Sequence, residues 1–251
     1  MIYFFSLDAL FEGNAPAPGA IEVLRAMISR QERFLILTDK ANRSRRQLSQ
    51  HLYDNGFPLL YDELFYTSTM AAVDAVRRNY PNRRAACYLG NEALGNTLRE
   101  GGFIIDLRQA DWLFIGSNRN AAFRDYSDAL SIVLAGATMI SVSDEPVELH
   151  NGMPVPGVGA MTSMLETASG RKALHAGWPA ALIMKKAARY LGCEDQEILF
   201  VSKKLRQEVI PAKQEGFRTV FLIGNQEIDE NLRDAEVGPD YVLDSLKAML
   251  K

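Results

Sequence analysis

Residues 1–13, MIYFFSLDALFEG, gather Ile2, Tyr3, Phe4, Phe5 and Leu7 into one short apolar run that stops at the carboxylate Asp8. A run this short, aromatic and β-branched, and apolar at consecutive rather than alternating positions, reads as a strand buried on both faces of a parallel sheet. Helices must then cover both faces, which points to the α/β class. Ligands of open α/β sheets bind beyond the carboxyl ends of the strands, so Asp8 is a site candidate by position alone. The competing use of an aspartate there is to cap the next turn.

The rest of the chain alternates accordingly. After Pro16, Pro18 and Gly19, the segment from Ala20 to Arg30 places Ile21, Val23, Leu24, Met27 and Ile28 at helical spacing, and Phe34 to Leu37 is a second strand running into Thr38. A right-handed crossover between two parallel strands brings Thr38 beside Asp8 at one sheet edge. Gln47 to Leu52 continues as a helix that Gly56-Phe57-Pro58 ends. From residue 67 the pattern restarts: helices at Met70–Arg78, Glu92–Arg99 and Tyr126–Leu134 alternate with strands at Ala85–Leu89, Trp112–Ile115 and Met139–Val142. A second alternation with its own strands predicts an inserted α/β domain, not a loop. Met161–Ala168 forms a return helix. Beyond it come a helix at Ala181–Leu191, a strand at Ile198–Val201, a helix at Ile210–Gly216, a strand at Thr219–Ile223 and a terminal helix at Asp244–Leu250.

Several function classes drop out. The net charge of −3 and the dispersed Lys and Arg residues offer no footprint for nucleic acid or an anionic membrane. Cys87 and Cys193 are too few for a disulfide scaffold and lack metal-ligand spacing, so both are expected reduced and buried. His51, His150 and His175 are solitary, which gives zinc or a Ser-His pair no support. The first residues lack a basic start and a cleavage site, and no stretch approaches the roughly 18 apolar residues of a membrane span, so a cytoplasmic protein is expected. The Gly157-Val158-Gly159 pair lacks a third glycine and a preceding strand, too weak a pattern for a dinucleotide loop.

The motifs resemble those of the haloacid dehalogenase (HAD) phosphatases, and more narrowly their NagD-like, p-nitrophenylphosphatase-like branch. Residues 2–13 are similar to the first motif, in which one Asp is the nucleophile and a second, two residues on, the general acid and base. Leu37-Thr38-Asp39-Lys40-Ala41-Asn42-Arg43-Ser44 resembles the branch's LTNNSxRS, whose hydroxyl and next backbone N–H hold the phosphoryl group. Thr67-Ser68 matches the pair that opens the cap, and Pro156-Gly157-Val158-Gly159-Ala160 the PGxGA element that closes it. Gly177-Trp178-Pro179 stands at the GKP motif, Ser202 to Glu208 at GDRLxTD, and Pro239-Asp240-Tyr241-Val242 at a PDYV-like step. The resemblance implies a Rossmann-like parallel-sheet core from residues 1–66 and 169–251, and an α/β cap at 67–168.

The scaffold motifs are in register and the chemical positions depart. Ser6 stands at the nucleophile position, Trp178 at the lysine position and Lys203 at the first metal-ligand position, while Asp8 keeps the acid/base place and Glu208 conservatively replaces the second metal ligand. Thr38 and Asp39 hold the phosphate-binding positions. Phosphoryl transfer in this family needs an aspartyl nucleophile, a cation to screen its attack, and Mg²⁺ held by hard oxygens. An indole carries one neutral N–H and cannot supply that charge. Asp8, Glu208 and Lys203 together keep the net charge of the family's metal-loaded site without the metal. The Lys203 ammonium is therefore expected where Mg²⁺ would stand, the alternative being a Lys203 that points to solvent as Lys204 is expected to.

The sequence thus reads as a pseudophosphatase kept for ligand binding, regulation or assembly, with no cofactor and with a small anionic ligand as the partner to look for. One rival is residual Mg²⁺-dependent phosphatase activity on small phosphate esters. The other is a structural oligomer subunit, since the resemblance implies homodimers formed through the cap.

Overall fold

The computed structural model describes residues 1–40, 42–150, 152–177, 180–224 and 238–250. Its chain divides into two compact units, one made of Met1–Thr38, Arg45–Tyr66 and Ala180–Lys251, the other of Asp39–Ser44 and Thr67–Pro179.

The first unit is built on the opening strand. β1 (Ile2–Ser6) lies at the centre of a sheet of six of the described strands, ordered β15-β14-β13-β1-β4-β5, with β4 at Phe34–Thr38, β5 at Phe65–Thr67, β13 at Ile198–Ser202, β14 at Arg218–Leu222 and β15 at Tyr241–Leu243. β1 pairs in parallel with β13, Phe4 opposite Phe200, and with β4, Ser6 opposite Leu37. Its neighbours on both sides explain the unbroken apolar run: Phe4 and Phe5 are fully buried. α1 (Ala20–Ser29) turns Ala20, Val23, Leu24 and Met27 into this core. α2 (Arg45–Asp54) adds Leu48 and Leu52. Gly19, at φ +85°, starts α1 where a Cβ would lie 2.3 Å from the backbone nitrogen of Lys247, so only glycine lets the two segments approach.

The second unit carries its own parallel sheet, ordered β12-β9-β8-β6-β7, from β6 (Ala85–Leu89), β7 (Ile104–Ile105), β8 (Trp112–Ile115), β9 (Thr138–Ser141) and β12 (Leu174–His175). α3 (Ser68–Asn79) and α4 (Glu92–Glu100) are N-capped by Thr67 and Asn91, whose side-chain oxygens accept from the backbone N–H groups of Met70 and Leu94. α5 (Phe123–Leu134) and α6 (Val158–Ser169) complete the alternation.

The join back to the first unit falls later than the resemblance implies, at residue 180 and not 169. The physical reason lies in residues 171–177. Glu166 on α6 accepts the Ala173 backbone N–H at 2.8 Å, Arg171 donates to the Val133 carbonyl at 2.7 Å, and β12 pairs with β9. These bonds hold the segment to the second sheet until α7 (Ala180–Leu191) begins. The short hairpins β2 (Phe11–Glu12) with β3 (Ala15–Pro16), and β10 (Val147–His150) with β11 (Met153–Pro156), carry no apolar alternation long enough to be read from sequence.

Gly157 and Gly159 of the PGVGA element serve packing. A Cβ on them would lie 2.3 Å from the Glu145 carbonyl oxygen and 2.4 Å from that of Asp144, so the start of α6 needs bare backbone there. Cys87 is buried, its thiol pushed up to about 12 by burial, and Cys193 is partly buried. His175 pairs with Asp144, and His51 stacks on Phe11 at 5.4 Å between ring centroids, so these two histidines have specific neighbours. Among the described residues no helix is long and apolar enough to cross a membrane.

Candidate functional site in the first unit

The carboxyl ends of β1, β4 and β13 meet at one edge of the first sheet, because the three strands are parallel and adjacent. β1 delivers Ser6, 3 % exposed, and the 3-10 turn at Leu7–Leu10 that follows carries Asp8. β4 ends on Thr38, buried, one residue past the partner of Ser6. Ser6 and Thr38 thus end neighbouring parallel strands. Asp39 belongs to the second unit, where its carbonyl accepts the Ser68 hydroxyl at 3.2 Å. Trp178 lies outside the described residues.

β13 contributes most of the site's chemistry. Its last residue, Ser202, has no exposed surface, and its hydroxyl accepts the Lys204 backbone N–H at 3.0 Å while donating to Oε2 of Glu208 at 2.6 Å. This side-chain-to-backbone bond curls the chain tightly after the strand. A π-helical turn at Leu205–Val209 then begins, closed by the Val209 N–H donating to the Lys204 carbonyl. Lys204 and Glu208 are thereby set four residues apart on one face.

The consequence is a charge cluster. Nζ of Lys204 lies 2.6 Å from Oδ2 of Asp8 and 3.3 Å from Oε1 of Glu208, which is 1 % exposed. The ammonium between the two carboxylates is therefore that of Lys204, and the expectation that Lys203 would take this place is corrected. Lys203 donates from Nζ to the Phe11 carbonyl at 2.8 Å, tying the loop after β13 to β2. The swap follows from the Ser202 turn, which brings residue 204 back toward the sheet edge. Sequence reasoning missed it because family register placed residue 203 at a ligand position, and no apolar pattern marks which of two adjacent lysines turns inward.

The donor set is not one a hard divalent cation selects. Mg²⁺ takes octahedral oxygen ligands at about 2.0–2.1 Å, whereas here an ammonium already uses one oxygen of each carboxylate and a second lysine stands at the first ligand position. Among the described residues no group of three or more His, Cys, Asp or Glu is arranged to hold a metal.

Residues 6–104 match the family model of haloacid dehalogenase-like hydrolases. The chain is 24 % identical over 247 residues to the 5'-nucleotidase YutF of Bacillus subtilis, covering 97 % of this chain and 95 % of that protein. It is 25 % identical over 237 residues to the ribonucleotide monophosphatase NagD of Escherichia coli K12, covering 94 % and 92 %. Among solved structures, a 4-nitrophenylphosphatase from Thermotoga maritima superposes with a TM-score of 0.85 at 21 % identity, over 99 % of this chain and 95 % of that one. NagD from E. coli K-12 gives 0.84 at 23 % identity, over 98 % and 96 %. Residues 6–104 thus resemble haloacid dehalogenase-like hydrolases, and over nearly its whole length the chain is similar to NagD-like phosphatases and shares their fold.

Proposed function

We propose that this protein is a haloacid dehalogenase-fold pseudophosphatase, a chain that keeps the fold for binding a small anionic ligand, for regulation or for assembly, and does not hydrolyse phosphate esters by the aspartyl route. The observation that carries this reading is Ser6, whose buried hydroxyl stands at the end of β1 where that chemistry needs a carboxylate. A serine hydroxyl becomes a nucleophile only with an adjacent base. The carboxylate two residues away, Asp8, is ion-paired with Lys204. Trp178 at the lysine position, read from the sequence, supports the same conclusion, since an indole supplies no cation. Thr38, at the end of β4, is the residue we assign to the anion.

The rival reading is a hydrolase with residual activity on small phosphate esters, and the phosphatase names of the relatives favour it. Purified protein with p-nitrophenyl phosphate and millimolar Mg²⁺ separates the two. Release of p-nitrophenol at the rate of a protein-free blank is expected. Metal-dependent turnover that disappears in Asp8→Asn establishes the rival.

A further inference from the structure

We propose that Lys204 is the built-in cation of this site: its ammonium stands between Asp8 and Glu208 in the charge-balancing place of a divalent metal, so that the cluster needs none. The inference rests on the pseudophosphatase reading and deepens it.

Three features of the cluster carry it. The first is the geometry of the ammonium, which reaches Oδ2 of Asp8 at 2.6 Å and Oε1 of Glu208 at 3.3 Å, carboxylates from two different strand ends joined by one tethered charge. The second is the need for it. Glu208 is 1 % exposed, and its other oxygen is taken by the Ser202 hydroxyl at 2.6 Å. A carboxylate this buried requires a positive partner, because the hydroxyl satisfies an acceptor but not the charge. The third is the placement of the two adjacent lysines: Nζ of Lys203 donates to the Phe11 carbonyl, while Nζ of Lys204 reaches both carboxylates.

A divalent ion and Lys204 compete for the same two carboxylates. To bind, the metal has to displace a tethered ammonium that pays no association entropy, and it meets a second positive charge one residue away. The wild-type site should therefore reject divalent ions that the same fold would accept once both lysines are removed.

The test uses the full chain and Mn²⁺ followed by electron paramagnetic resonance, with thermal melts in Mg²⁺ alongside. Wild type should leave millimolar Mn²⁺ free and melt at the same temperature with or without Mg²⁺. The double variant Lys203→Asp/Lys204→Ala should melt lower in metal-free buffer, sequester Mn²⁺, and rise by about 3–6 °C at a Mg²⁺ concentration ten times its dissociation constant. Sequestration of Mn²⁺ by wild type, or a folded double variant that binds none, overturns the proposal. If the double variant does not fold, Lys204→Arg and Lys204→Met decide it. Arg should hold the wild-type melting temperature and Met lower it, and equal temperatures for both refute the role of the charge. Hydrolysis without metal binding by wild type would sink the pseudophosphatase reading and leave Lys204 in its role, whereas metal binding without hydrolysis would do the reverse.

Discussion

Replacing Lys204 by alanine removes the ammonium from between two carboxylates, and the structure sets the scale of the loss. Removing one partner of a fully buried ion pair costs about 3–5 kcal/mol, because the remaining charge stays desolvated. Here the Glu208 side chain is 1 % exposed, but Lys204 is 31 % and Asp8 22 % exposed. Water therefore enters the Asp8 side of the cluster and screens it, and the Lys204→Ala loss should sit near the lower end, about 3 kcal/mol. Lys203→Ala removes the hydrogen bond to the Phe11 carbonyl, and a bond of that kind is worth about 1 kcal/mol. Denaturant melts of both variants at pH 7 give the comparison. A Lys203→Ala loss equal to or larger than that of Lys204→Ala refutes the assignment of the inward lysine.

Gly159→Ala should destabilise the second unit by at least about 2 kcal/mol, because the new methyl would meet the Asp144 carbonyl at 2.4 Å. Gly170→Ala, at φ +68° with nothing within 4 Å, should cost only the left-handed backbone penalty of about 1 kcal/mol, and circular-dichroism melts will rank the two. Glu166 is held below the usual carboxylate range by the Ala173 backbone N–H and then by Lys172. A depressed folded value means that its contribution is present above about pH 4.3 and is lost as the pH falls through the folded value. Glu166→Gln should accordingly flatten the acid limb of a pH–stability curve, and an unchanged limb would count against this tether.

Much of the fold was legible because its strands are short, apolar runs with burial on both faces. Ala85–Leu89 and Trp112–Ile115 are strands from end to end as their composition predicts, and α1 ends within one residue of its expected boundary. Where packing or hydrogen bonds outweigh periodicity, the sequence pattern does not show the element. The start of α6 at Val158, three residues before the apolar pattern shows it, depends on glycines that admit the 144–147 backbone. The terminal segment, expected as a helix from Asp244, forms a 3-10 turn at Leu246–Leu250. That β1 and β4, the strands leading to Asp8 and Thr38, run parallel side by side could be read from sequence, because a strand, helix, strand order implies a right-handed crossover. The inward lysine could not, since it is selected by the Ser202 hydroxyl and a π-helical turn, and neither leaves a trace in composition.

The most direct measurement is a crystal structure of the full chain grown in millimolar Mn²⁺, with data collected at the manganese absorption edge. The account predicts continuous density for Lys204 Nζ between Asp8 and Glu208, as at 2.6 and 3.3 Å here, and no anomalous peak beside them. An anomalous peak coordinated by Asp8 and Glu208, with Lys204 turned away, would contradict it.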